Sequence, residues 1–151
     1  MKEKQVLVAV IDGQGGGIGR ALVERTRQTY PGVHIRALGT NSQATAAMLR
    51  AGADDGATGE NAVVFNAPRA QVLLGPVAVL SANALLGEVS PAMARAVGES
   101  PAVKILLPSQ RCGIRLAIGP AQPMQVYLDE AMRLLGEVLE DLAEGGCSDR
   151  S

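Results

Sequence analysis

The chain has 151 residues, of which 47% are apolar and 2% aromatic, with no Trp and a formal net charge of −1. That length suits one domain with a real aliphatic core. The near absence of aromatic residues and of any basic run argues against binding to nucleic acid, where bases stack on aromatic side chains in a positively charged groove.

Residues 6–11 (VLVAVI) form a continuous apolar run ending at Asp12-Gly13, the pattern of a strand buried on both faces. A helix is predicted over 18–29, with Ile18, Ala21 and Leu22 on its inner side and Pro31-Gly32 as its stop. A second strand over 33–38 ends at Gly39-Thr40-Asn41, where Thr40, Asn41 or Ser42 can cap a helix running to about Ala51, with Gly52 at its C-terminal stop.

Residues 54–59 read as a loop with room for a short strand. Residues 60–66 are ambiguous: Val63-Val64-Phe65 favours a strand by propensity, whereas the alternating order of elements favours a helix. A strand follows over 71–75. Pro76 then either opens a helix to Leu85 or sits in a strand extended to Leu80.

Ser90-Pro91 is a strong helix start, with Gly98 as the stop. Strands are predicted over 103–107 and 114–118, then an amphipathic helix over 123–143 with Met124, Leu128, Met132, Leu135, Leu139 and Leu142 on one side. That stripe suits core packing and can extend into a homodimer interface. The polar tail, 144–151, is expected to be disordered.

Strands alternating with helices predict an α/β domain over 1–143, with a Rossmann-like, doubly wound, mainly parallel sheet covered on both faces. The longest apolar stretch, 72–86, is broken by Gly75, Pro76, Ser81 and Asn83 and falls short of the ~20 residues a spanning helix needs. Cys112 and Cys147 stand in no metal-ligand spacing. A soluble cytoplasmic protein with no membrane partner is therefore expected.

The segment Asp12-Gly13-Gln14-Gly15-Gly16-Gly17-Ile18-Gly19 lies where the first strand gives way to the first helix. Gly13, Gly17 and Gly19 match GxxxGxG; the G-x-G-x-x-G form fails because residue 18 is Ile. Glycine allows a sharp turn and leaves backbone N–H groups accessible, and a helix N-terminus points unpaired N–H groups and its positive dipole end the same way. A small-molecule ligand carrying a phosphate is expected there, with a nucleotide, NAD(P) first, as the leading cofactor. An empty tight turn in a structural protein is the rival reading.

The turn from Gly13 to Leu22 resembles the cofactor turn of short-chain dehydrogenases, over about the first quarter of the chain. Those enzymes also carry a Tyr-x-x-x-Lys pair, whereas here His34 follows Tyr30 by four residues and Ala131 follows Tyr127. A second resemblance spans nearly the whole chain. IDGQGGGIG at 11–19, ALGTN at 37–41, GADDGATGEN at 52–61 and LGE at 86–88 are similar to a family of short bacterial proteins catalogued as a domain of unknown function. It implies a Rossmann-like fold and a cytoplasmic bacterial protein, and carries no activity.

In such a sheet ligands sit beyond the carboxyl ends of the strands. The candidate binding residues are therefore Asp12, Gly13, Gln14, Gly15, Gly16, Gly17, Ile18 and Gly19, together with Gly39, Thr40 and Asn41 at the end of the second strand. NAD-binding domains usually place an acid at that strand end for the ribose; Thr40 and Asn41 stand there instead, able to meet a ribose or a 2′-phosphate or simply to cap a helix.

Asp12 can hold Mg²⁺ beside a phosphate or bond the turn backbone. An enzyme acting on a small phosphorylated substrate would draw on Asp12, Glu60, Asn83 or Glu88. Cys112 beside Arg111 can be an activated thiol or an inert one, and His34 is more readily structural than catalytic. No constellation names a reaction, so a sensor or accessory subunit is the leading expectation.

Overall fold

The computed structural model describes residues 5–109 and 113–145. Five strands, β1 (Leu7–Asp12), β2 (His34–Gly39), β3 (Asp55–Thr58), β4 (Val72–Pro76) and β5 (Val103–Leu107), form one parallel sheet in the order β3-β2-β1-β4-β5. Five α-helices lie between and after them: α1 (Gly17–Thr29), α2 (Ser42–Arg50), α3 (Glu60–Asn66), α4 (Pro91–Glu99) and α5 (Met124–Ala143). The expected Rossmann-like α/β domain is the fold observed.

Alternation along the strands divides the core. Val8, Val10, Ile35, Ala37, Val72, Leu74, Ile105 and Leu107 face one layer with Leu22 and Val23 of α1, Met48 of α2 and Leu128, Met132 and Leu135 of α5. Ala9, Ile11, Leu38 and Leu73 face the other, with Val63 of α3 and Met93, Ala94 and Val97 of α4. With apolar residues facing both layers, the central strands read as hydrophobic runs, LVAVI in β1 and VLL in β4. The inner stripe of α5 is spent on this core: Leu128, Ala131, Met132 and Leu135 are buried.

Helix starts follow local chemistry. The Asn41 side chain accepts from Ala44 N (2.9 Å), and Ser90 Oγ accepts from Met93 N (3.2 Å) with Pro91 at the first helical position. Residues 60–66 are helical, so the topology outweighs the strand propensity of Val63-Val64-Phe65. Two expectations fail. Pro76 neither opens an α-helix nor sits in a longer strand; it ends β4, a 3-10 helix follows over Val77–Leu80, and turns fill 81–89. Residues 114–118 form no strand: with Arg115 to Ile118 exposed, no core face is left for them to bury. Cys112 and residues 146–151 of the tail lie outside the described residues.

The sheet parts at one place. The β1–β4 ladder runs from Val8↔Val72 only to Val10↔Leu74, while β1 stays paired with β2 to Asp12↔Gly39 and β4 with β5 to Pro76↔Leu107. Pro76 has no N–H to extend the ladder. A Cβ on Gly75 would collide with the Ile11 carbonyl, a backbone atom that cannot swing aside. Replacing Gly75 with Ala is therefore expected to cost about 1–3 kcal/mol of stability in urea unfolding. Gly98→Ala, in a helix and facing open space, should gain roughly 0.5–1 kcal/mol.

Candidate functional site

Parallel sheets bind ligands where the strand order reverses, beyond the carboxyl ends of the strands. Here that place is the parting between β1 and β4, and a cavity of ≈ 500 Å³ opens above it. Its lining includes Asp12 through Ile18 from the glycine turn, Pro76 from β4, Leu85, Pro108 and Ser109 beyond β5, and Met124 at the start of α5. The volume is in the range of small-molecule sites, roughly 300–1,000 Å³.

The turn is held from beneath by Asp12. Its side chain accepts from Gly13 N at Oδ1 (2.8 Å) and from Gly19 N at Oδ2 (2.6 Å), and the residue is 5% exposed. Gly19 is the third residue of α1, so the carboxylate satisfies one of the helix's orphan N–H groups at its positive end. Burial pushes the Asp12 carboxyl above the usual carboxylate range, and the nearby charge of Glu88 adds to that rise, against the pull of the Gly19, Gly13 and Ile18 amides.

The glycines divide by what surrounds them. A Cβ on Gly13 would meet Thr40 Oγ1 at 2.6 Å and Leu85 Cδ1 at 2.9 Å; one on Gly19 would meet Met48 Sδ at 2.6 Å and Asp12 Cβ at 2.8 Å. Gly16 caps α1 at φ 73°, a left-handed conformation, against the backbone of Ala44. Gly15 and Gly17 differ: neither has a positive φ, both are exposed, and nothing lies within 4 Å of a Cβ on either. Their amides have no hydrogen-bond partner among the described residues.

The three candidates at the end of β2, Gly39, Thr40 and Asn41, are placed apart from the cavity. Gly39 is buried, with its N–H donating to Thr45 Oγ1 (3.1 Å). Thr40 Oγ1 donates to Glu88 Oε1 (2.7 Å), and Asn41 Nδ2 donates to the same oxygen (2.7 Å) and to the Gln14 carbonyl (3.0 Å). Gln14 N also donates to Glu88 Oε1 (2.9 Å). One carboxylate oxygen thus receives three donors. Partial burial raises the Glu88 carboxyl, but the bonds from Thr40, the Gln14 amide and Asn41 outweigh it and hold the group below its ordinary value.

The sequence offers Glu88 as one of four residues an enzyme would draw on, but not its contacts with Thr40, Asn41 and Gln14. The signal that could have found it is its place in LGE at 86–88, one of the segments that carry the resemblance to the family.

The remaining candidates lie elsewhere. His34 opens β2 at the opposite end of the sheet, where its Nε2 is 2.9 Å from Asp55 Oδ2 and Arg36 Nε donates to Asp55 Oδ1 (2.8 Å). Glu60 is exposed at the start of α3, and Asn83 is exposed in a turn at φ 66°. Among the described residues no three His, Cys, Asp or Glu side chains cluster as a metal site, and no helix is long and apolar enough to cross a membrane.

Fold and crevice together define a single-domain Rossmann-like protein with a glycine turn at the switch point of its sheet. The chain belongs to the family described as Domain of unknown function (DUF3842), which matches residues 7–140. Among curated proteins none matches the sequence. Among solved structures the chain resembles the dodecameric FMN-dependent UbiX-like decarboxylase from Escherichia coli O157:H7, at 16% identity and a TM-score of 0.41, over 89% of this chain and 76% of that one. A likeness that loose bears on neither ligand nor chemistry.

Because the Glu88 carboxyl is held below about 4.5 by its donors, the stability it contributes is present above that value and lost as pH falls through the folded-state pKa. The wild type should therefore lose more melting temperature than Glu88→Gln between pH 5 and 3. Asp54 and Asp55, also held below their ordinary value, contribute equally to both proteins, so the difference between the two melting curves reports Glu88 together with its coupling to Asp12, whose carboxyl its charge raises.

Proposed function

We propose that this protein binds a nucleotide through its phosphate, at the glycine turn above the parting of β1 and β4. The observation that carries this reading is the state of Gly15 and Gly17. Packing and backbone conformation require glycine at 13, 16 and 19, but neither requires it at 15 or 17, where it leaves two amides with no partner among the described residues beside a cavity. Amides of this kind, at the positive end of a helix, favour an anion.

Asp12 does not oppose the phosphate as strongly as its charge suggests. Both oxygens point at amides beneath the turn, and burial favours the neutral acid. The same bonds leave it poorly disposed to hold a cation. Among the described residues that line the cavity, Asp12 is the one carboxylate, which favours a binding role, as a sensor or accessory subunit, over general acid–base chemistry. NAD(P), the first candidate from the sequence, finds no acid on β2 itself to take a ribose.

Side chains at 15 and 17 would project into open space without straining the fold. Gly15→Val and Gly17→Val are expected to melt within a few degrees of wild type, yet to bind AMP or FMN at least tenfold more weakly by isothermal titration calorimetry. Undiminished affinity in the double variant would defeat the proposal.

A further inference from the structure

The half of the switch-point crevice that would receive the second part of a dinucleotide is already filled by the protein. The segment 81–90 leaves the β4 side of the glycine turn and returns to it, passing over the end of β1. On the way Leu85 packs against Gly13, and Glu88 reaches Thr40 and Asn41 beyond β2. The sheet order β2-β1-β4 makes this a strap across the top of β1. The open cavity lies on one side of the strap only: Leu85 is part of its wall, and Thr40, Asn41 and Glu88 are not among its lining residues.

The donors under the strap are those a ligand would want. A turn amide (Gln14 N), a hydroxyl (Thr40) and a side-chain amide (Asn41) converge on Glu88 Oε1 at 2.9, 2.7 and 2.7 Å. In dinucleotide-binding sheets the ribose hydroxyls are held at this edge, past the second strand. Here an internal carboxylate takes their place, and its charge would repel a phosphate brought to the same edge.

We infer that the strap, through Glu88 and Leu85, restricts the site to ligands of mononucleotide size and excludes the second half of a dinucleotide. The inference rests on the nucleotide reading above. It names the ligand class: one phosphate-bearing group on the β4 side of the turn, with nothing held at the β2 edge.

The test is a titration series with AMP, FMN and NAD on the wild type and on Glu88→Ala/Leu85→Ala. On the wild type, AMP or FMN binds, and NAD binds no tighter than AMP. In the double variant, NAD should gain at least tenfold relative to AMP, as Gln14 N, Thr40 and Asn41 are released. NAD binding tenfold tighter than AMP to the wild type would overturn the inference while leaving the nucleotide reading intact. So would a cooperatively folded double variant whose NAD-to-AMP ratio matches the wild type; if that variant does not fold, the wild-type series decides. If neither AMP nor FMN binds the wild type, the nucleotide reading itself fails and takes the inference with it.

Discussion

The contact on which this molecule's functional end depends is the buried carboxylate of Asp12 between two amides. It ties the last residue of β1 to Gly13, one step along the chain, and to Gly19, a full turn into α1. Without it, two N–H groups in a dry environment would lack partners, at about 1–3 kcal/mol each. The carboxylate can reach Gly19 only because α1 lies so close to β1 that residue 19 has no room for a Cβ, with Met48 and Asp12 itself in contact. The sharpness of the turn, the aim of the helix and the depth of the cavity floor all follow from that approach.

Pinning alone does not make a crevice. The strands must also separate, and they do so because β4 stops pairing with β1 at Leu74 while each strand keeps its outer partner. Pro76 is the local cause, lacking the N–H that would continue the ladder, while Gly75 just before it admits the Ile11 carbonyl. The Asp12 contact thus sets the height of the turn, and Pro76 sets the gap beneath its open side.

Most of the fold was legible in the sequence because it rests on local signals. The continuous apolar run at 6–11, the Ser90-Pro91 start and the glycine turn each carry their own physical cause. The failures share a cause as well. At Pro76 the strand runs on just far enough to pair with Leu107 of β5, a long-range pairing that no nearby residue announces. At 114–118 an apolar, β-branched composition suggested a strand, yet the sheet offers it no edge that the segment takes. Within the site, residues 12–18 could be read as one group because they are contiguous. The link between Glu88 and Thr40 spans 48 positions and depends on where the loop after β4 lands.

That landing is conformationally unfavourable, which is why it is informative. Leu85 and Leu86 both hold left-handed φ values, 56° and 57°, a conformation that costs a residue with a side chain roughly 1–2 kcal/mol. Leu86 in addition is 98% exposed at the tip. A loop that only joined β4 to α4 could use glycine or asparagine at these positions. What offsets the strain is the far end of the segment, where Glu88 collects three donors in a partly buried setting with charge-assisted bonds. The strap and the β2 edge are therefore energetically one unit: a group that takes those donors from Glu88 also removes the restraint that holds Leu85 and Leu86 in their left-handed conformations.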